Sequence, residues 1–206
     1  MDEDPGGELP YGDELASFIP FPAKKRWSTG NQCIDHILNE GRFNPLLESP
    51  DLPEIRDMWR GRLRSAIQTP PDTPELSAAF HTQWHVCHHR LRELVEDDDL
   101  LLDAAWVWLP RYAGPGLDLY RGENIDRFDA GRIGSAWSDK METARKFAIG
   151  LNAVGKGGVI LQAAVPASAI IAGPSVHSLY LGESEFTIDP RRLGLVSIVA
   201  RFPPSH

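Results

Sequence analysis

The stretch GESEFTIDP, residues 182–190, alternates apolar and polar side chains between two turn-forming residues. A period of two predicts a β-strand, with Phe186 and Ile188 facing a core and the two glutamates and the threonine sharing the opposite face. At a rise of about 3.3 Å per residue, the carboxylates of Glu183 and Glu185 would start about 7 Å apart at the backbone. Such a pair can divide two chemical tasks, or it can belong to a solvated strand face.

The region around this strand, from Pro110 onward, consists of short apolar runs separated by glycine, which predicts further strands. The predicted strands cover residues 117–121, 158–165, 169–172, 184–189 and 195–202, and one helix is predicted over residues 138–151. Ser138 is the expected N-cap of that helix.

The region before Pro110 has the spacing of helices instead. Thr73-Pro74-Glu75 is a helix start signal. Two apolar stripes recur at intervals of three and four residues: Ile55, Trp59, Leu63 and Ile67, and then Leu76, Phe80, Trp84, Cys87, Leu91 and Leu94. Residues 100–108 continue as an apolar helix. Helices followed by strands predict an α+β fold with a helical N-terminal half.

Length and composition limit the architecture and the class of protein. The 206 residues fit one domain over residues 23–206, with a helical part at 28–108, a β-rich part at 115–203, and a flexible acidic arm at 1–22. The net charge of −8 disfavours a sequence-independent DNA binder. Two cysteines exclude a disulfide-rich scaffold.

The N-terminus is acidic, unlike a signal peptide, and the long uncharged stretch at 157–182 contains too many polar and helix-breaking residues for a bilayer span. We therefore expect no membrane association and a cytoplasmic location, or delivery into a target cell without a cleavable signal.

Two further segments carry candidate site residues. In 119–123, LYRGE, Arg121 ends an apolar run and offers a planar donor fork for phosphate or ribose oxygens, and Gly122 allows a flat ligand to approach the backbone. In 134–139, GSAWSD, Ser135 and Ser138 enter the predicted helix. Each segment also fits a purely structural interpretation, as a surface arginine at a strand end and as a capped helix.

The order of these segments is more informative than any one of them. Arginine-glycine after a strand, a serine-rich strand that enters a helix, and then Glu-x-Glu resembles the ADP-ribosyltransferase family of the arginine-serine-glutamate class. The motifs span residues 117–193. The resemblance implies a mixed or antiparallel split β-sheet core and cleavage of NAD at the nicotinamide–ribose bond, with transfer of ADP-ribose to a macromolecule.

The resemblance also implies a role for each site residue. Arg121 would hold the NAD phosphate and ribose, and Gly122 would bind the nicotinamide amide through its backbone. Tyr120 or Phe147 would form a wall beside the nicotinamide, and Trp137 and Ser135 are included among the NAD-binding residues. NAD is the only cofactor expected, as a substrate, and no metal is expected.

The catalytic residues implied are Arg121, Glu185, Glu183 and a serine. Glu185 would bind the ribose and stabilise the oxocarbenium-like state, while Glu183 would help to activate the acceptor. The aligned triplet is Ala136-Trp137-Ser138, so either Ser135 or Ser138 supplies the hydroxyl. Tyr180 is the exposed aromatic expected on the acceptor loop.

By analogy with the family that the chain resembles, Glu-x-Glu implies a protein arginine as acceptor, and the net charge of −8 disfavours a nucleic acid. The resemblance also implies a bacterial toxin or effector with a neutralising partner protein as one setting. An NAD glycohydrolase, a nucleic-acid ADP-ribosyltransferase and an inactive binding module remain alternatives. One further cluster, His81, His85 and His88, forms a ridge on the second helix. We expect these histidines to stack or hydrogen-bond at the edge of the core rather than to bind metal.

Overall fold

A computed structural model describes residues 56–205, apart from the side chains of Arg90 and Glu93. Its N-terminal half contains three helices, α1 Arg56–Ile67, α2 Pro74–Val95 and α3 Asp98–Trp108. The start predicted for α2 is confirmed, because Thr73 Oγ1 accepts a hydrogen bond from the Leu76 amide. The acidic arm at 1–22, Ile55 and the rest of the predicted helical part before Arg56 lie outside the described residues.

The helices enclose a core of their own, built from the predicted apolar stripes. Trp59, Phe80, Trp84 and Leu91 are almost fully buried in it. At the junction of α2 and α3, Glu96 adopts a left-handed conformation with φ of 50°, and Asp97 Oδ1 accepts from the Leu100 amide. The run of acidic residues therefore ends one helix and caps the next.

The second half contains six strands and three short helices. The strands are β1 Leu117–Asn124, β2 Ala136–Ser138, β3 Gly158–Val165, β4 Ile170–Ala172, β5 Glu185–Ile188 and β6 Val196–Phe202. The helices are α4 Ile125–Asp129, α5 Met141–Ile149 and α6 Val176–Tyr180, and 3₁₀ turns lie at Ala167–Ala169 and Pro190–Arg192.

The strands form one sheet in the order β4-β5-β2-β1-β3-β6, and every described pairing is antiparallel. The fold is therefore mixed α and β, and the sheet is antiparallel rather than mixed. β1 pairs with β3 along its whole length, but it pairs with β2 only where Tyr120 lies opposite Ser138. The three-stranded halves β4-β5-β2 and β1-β3-β6 are thus joined at this pair.

Helix α5 packs closely on β1 and β3 because glycines face it. A Cβ at Gly122 would collide with the Ala144 carbonyl oxygen, and one at Gly158 would collide with the Ala148 carbonyl oxygen. The predicted cap of α5 is wrong: Lys140 is the N-cap, without a side-chain hydrogen bond. Ser138 instead ends β2.

The strand predicted from residue 184 begins one residue later. Ser184 has a φ of 50°, which interrupts the extended backbone, so Glu183 lies outside β5. All four residues of β5 are buried, including Glu185 and Thr187. The alternative interpretation of a solvated strand face is therefore wrong for Glu185 and Thr187, and His85 of α2 lies against Glu185.

Within residues 56–205, no helix combines the length and the apolar character needed to cross a membrane.

Candidate active site

A cavity of about 590 Å³ opens at the junction of the two sheet halves, between α2, α5 and the ends of β1, β2 and β5. Its volume is in the range of small-molecule binding sites. Seven of the residues predicted from the sequence line it: Tyr120, Arg121, Gly122, Trp137, Ser138, Phe147 and Glu185.

Ser138 is the central residue of this site. It lies opposite Tyr120 in β1 and opposite Glu185 in β5, so three predicted site residues meet across three neighbouring strands. Its hydroxyl donates to the Glu183 carbonyl oxygen over 2.6 Å and accepts from the Lys140 amide over 3.1 Å. The hydroxyl of Ser138 therefore ties the end of β2 to the Glu-x-Glu segment.

Ser135 and Trp137 point to the other face of β2. Ser135 lines a separate small cavity beside Trp84 and Leu101. The Trp137 indole is almost fully buried in the sheet core, and its Nε1 donates to the Gly134 carbonyl. Of the two candidate serines, Ser138 is the one on the cavity, and Trp137 contributes to the lining as a core residue.

Arg121 is held rigidly at the cavity edge. Its Nε donates to Glu123 Oε2 over 2.8 Å and its Nη1 donates to the Ala136 carbonyl over 2.5 Å. Glu123 is completely buried and also accepts from the Gly134 and Asn124 amides. Burial opposes ionisation of this carboxyl, but the positive charges of Arg121 and Arg127 hold its pKa below the usual range.

Two more arginines line the same cavity, Arg92 from α2 and Arg127 from α4. Arg92 forms a two-pronged ion pair with Asp98, and Arg127 Nε lies 3.6 Å from Glu123 Oε1. Burial and the nearby guanidinium groups lower the pKa of Arg127. Three guanidinium groups converging on one cavity make it attractive to a phosphate-bearing ligand.

Glu185 is a carboxyl group that lines the same cavity. Burial, reinforced by the charge of Glu183 and opposed by Arg121, raises its pKa to about 8. Its backbone amide donates to Ser178 Oγ over 2.7 Å, and its Oε1 lies 3.6 Å from His85 Nε2. At neutral pH this carboxyl is therefore largely protonated.

Glu183 lies beside an adjoining cavity of about 640 Å³, together with Lys146 and Leu181. The left-handed backbone of Ser184 separates the two glutamates, so each carboxyl lines its own cavity. Phe147 is half-buried and lines both cavities. Burial raises the pKa of Glu183, although His177 and Lys146 oppose this shift.

Gly122 and Tyr180 are two further residues that the sequence predicted for the site. Gly122 lines the first cavity, and its carbonyl oxygen accepts from Asn152 Nδ2 over 2.8 Å. Tyr180 lies at the end of α6 and is 58% exposed, beside the exposed side chains of Leu179 and Leu181.

The histidine ridge of α2 faces the site. The rings of His81 and His85 are tilted by 45° with centres 4.6 Å apart, and His85 Nδ1 lies 2.6 Å from Ser175 Oγ. The ring of His88 stacks on Trp84 with centres 5.6 Å apart. His88 lines the first cavity, and its Nδ1 lies 3.1 Å from the Trp84 carbonyl oxygen. The predicted stacking and hydrogen bonding are confirmed. No group of side chains that could hold a metal ion occurs within the described part of the chain.

Glu123 and Ser178 had no role in the sequence prediction, and neither did the pairing of His85 with Glu185. Glu123 could have been found, because it lies two residues after Arg121 and so shares its strand face. Ser178 and His85 are brought to Glu185 only by the packing of α6 and α2, for which the local sequence carries no signal.

Comparison with known protein families, curated proteins and solved structures finds no match for this chain.

Proposed function

We propose that the chain is an ADP-ribosyltransferase that cleaves NAD at the nicotinamide–ribose bond and transfers ADP-ribose to a macromolecule. The observation that carries this proposal is the convergence of Arg121, Ser138 and Glu185 on one cavity, in the order that the family resemblance implies. The split antiparallel sheet would then be an ADP-ribosyltransferase-like core.

The charges of the cavity support NAD as the substrate. The diphosphate of NAD is anionic, and three arginines line the cavity. Its nicotinamide ring carries a positive charge, for which Glu185 is the complementary group. As the C–N bond breaks, positive charge moves onto the ribose, and a fixed carboxylate beside it lowers the barrier by several kcal/mol.

The adjoining cavity supports transfer to an acceptor. Glu183 lines it while Glu185 lines the first cavity, and Phe147 borders both. Glu183 would accept a proton from an arginine side chain of a protein acceptor, and Tyr180 would contact that protein. A nucleic-acid acceptor is less favoured at a net charge of −8. NAD is an intracellular nucleotide, so the reaction would occur in the cytoplasm, either of the producing cell or, for a toxin or effector, of a target cell.

A second candidate is a nucleotide-binding module without turnover. The burial of Glu185 favours it, because a carboxyl with a pKa of about 8 is mostly protonated at neutral pH. In that state it can donate a hydrogen bond to a ligand but cannot stabilise a developing positive charge.

The test is nicotinamide release from NAD by the purified chain, with an arginine peptide or a cell lysate as acceptor. Glu185→Gln should lower the rate by about 100- to 1,000-fold. Glu183→Gln should retain release but lose transfer to the peptide. Glu142→Gln, at an exposed position of α5, is the matched control and should behave as the wild type.

Three results would contradict or narrow the proposal. Wild-type rates in Glu185→Gln would remove Glu185 from the chemistry. Free ADP-ribose formed at the full rate with every acceptor would indicate a glycohydrolase. NAD binding without release would support the binding module.

A further inference from the structure

The imidazole of His85 lies between α6 and the carboxyl of Glu185, although the two residues are far apart in the chain. Its Nδ1 is 2.6 Å from Ser175 Oγ, and its Nε2 is 3.6 Å from Glu185 Oε1. The His85 side chain is only 3% exposed and that of Glu185 11%. Within residues 56–205, neither His85 Nε2 nor Glu185 Oε1 has a hydrogen-bond partner.

The hydrogen bonds of α6 determine where the ring proton of His85 lies. Ser175 is the N-cap of α6, and its Oγ accepts from the Ser178 amide over 3.1 Å. The Ser175 oxygen could also accept from an Nδ1–H, but within residues 56–205 its hydroxyl proton has no acceptor other than Nδ1, so we assign Nδ1 as the acceptor of the ring. The ring proton is therefore on Nε2, directed at Glu185 Oε1.

Burial is the main reason that this imidazole stays neutral. Burial, together with the positive charges that His81, His88 and His177 would carry, lowers the pKa of His85 to about 2. The charged groups that act on Glu185 are Glu183 and Arg121. The contact is thus between a neutral N–H donor and a carboxyl, rather than an ion pair.

We infer that His85 is a positioning residue for Glu185: its neutral Nε2–H holds Oε1, leaving Oε2 for the ligand, and Ser175 sets the tautomer that makes this possible. The inference rests on the proposed function. The separation of 3.6 Å is slightly beyond hydrogen-bond reach, and the proposal is that it shortens when a substrate fills the site, as catalytic contacts that are long in a free enzyme often do. The same short helix holds both partners, because Ser178 Oγ accepts from the Glu185 amide.

The first test compares the pH profile of nicotinamide release in His85→Leu, His85→Gln and the wild type. In His85→Leu no N–H group faces Glu185, so the carboxylate form of Glu185 is less favoured. The pH at which the kcat of this variant rises with the ionisation of Glu185 should therefore move up by about one unit. Its kcat should fall about 10- to 100-fold with little change in KM. His85→Gln supplies an amide N–H and should restore most of both. Lower activity with an unshifted profile, or no rescue by glutamine, would overturn the inference.

The second test does not depend on activity. Nitrogen-15 NMR of the imidazole should show His85 in the neutral Nε2–H tautomer in the wild type and in Ser178→Ala, and a mixture of tautomers in Ser175→Ala. Carbon-13 NMR of labelled glutamate should show the Glu185 titration at higher pH in His85→Leu. An Nδ1–H tautomer in the wild type, or an unchanged Glu185 titration in His85→Leu, would overturn the inference.

The two tests separate the inference from the proposed function. If the tautomer and the titration shift occur but no variant or wild type releases nicotinamide, the pairing is supported and the proposed function fails. If release occurs while the tautomer and the Glu185 titration do not respond, the proposed function is supported and the role of His85 fails.

Discussion

Arg121 and Glu123 lie two residues apart on β1, and Arg121 Nε donates to Glu123 Oε2 over 2.8 Å in a buried pair. The same carboxyl accepts from the Gly134 and Asn124 amides. Glu123 therefore fixes both the arginine at the cavity and the segment that leads into β2.

Replacing Glu123 with glutamine should destabilise the protein by about 3–5 kcal/mol, because it leaves the charge of a buried arginine uncompensated. The affinity for NAD should also fall, since Arg121 would no longer be held at the cavity edge. Denaturant unfolding and NAD titration measure the two effects. Glu142→Gln, at an exposed site, is the control, and equal stability of the two variants would contradict the role of Glu123.

Gly122→Ala should destabilise the fold by about 3 kcal/mol, because the new methyl group meets the backbone of α5 at Ala144 and Ala148. Gly61→Ala is the matched comparison. Gly61 lies in α1 with open space around its Cβ position, so that change should stabilise the protein by about 1 kcal/mol. Thermal unfolding of both variants measures the two changes in stability, which should have opposite signs. A neutral Gly122→Ala would mean that α5 can shift away from β1.

The raised pKa of Glu185 makes the protein less stable as pH rises. The usual glutamate pKa is 4.5 and the folded value is about 8, so the folded state holds a proton that the unfolded chain releases between these limits. Stability should fall by about 1.4 kcal/mol per pH unit in that window and then level off. Glu185→Gln cannot titrate, so its advantage over the wild type in the free energy of unfolding should grow from pH 5 to pH 8. A constant difference would contradict the burial of this carboxyl.

Three neutral buried histidines should make the protein less stable as pH falls into the acid range. Burial is the main cause that lowers the pKa of His81 to about 4, of His85 to about 2 and of His88 to about 3, from the usual 6.5. Unfolding below pH 6.5 therefore takes up protons, and stability is lost as pH falls. Each histidine should contribute about 1.4 kcal/mol per pH unit in that range. His81→Gln should flatten the acid limb of a plot of unfolding free energy against pH by one such contribution.

NAD binding should release protons at pH 7 if the proposed function is right. The positive nicotinamide ring favours the carboxylate form of Glu185, which is mostly protonated in the free protein. Calorimetric titrations in buffers of different ionisation enthalpy should show a release approaching one proton at pH 7 and almost none at pH 9. Glu185→Gln should show no such release, and proton uptake by the wild type would contradict the prediction.

Much of the fold could be predicted from the sequence because its signals are local. The apolar stripe of α2 has the period of a helix, and Thr73 is its N-cap. The predicted strand at Gly158–Val165 has the same bounds as β3. The break at Ser184 could not be predicted, because a left-handed φ at serine leaves no mark in the pattern. The choice of Ser138 over Ser135 depended on the register of β2, which is set by the partner strands.

The local sequence could indicate the candidate site where neighbouring residues of one strand take part in it, as Arg121, Gly122 and Glu123 do in β1. Ser138 and Glu185 belong to the adjacent strands β2 and β5, and only the pairing of these strands brings them together. The surroundings of Glu185 come from α2, at long sequence separation, and from α6, whose Ser178 is only seven residues away. Burial among these elements decides the protonation state of the carboxyl.

The contact between His85 and Glu185 also has a consequence for how the protein reaches its native state. A hundred residues of chain separate the two partners, so the contact closes a large loop and carries the entropic cost of non-local structure. A chain in which the sheet has formed while α2 is still undocked would present an ordinary, hydrated carboxylate at position 185. The chemistry of that carboxyl is thus acquired only when α2 docks on the sheet, so the competence of the site depends on this long-range association.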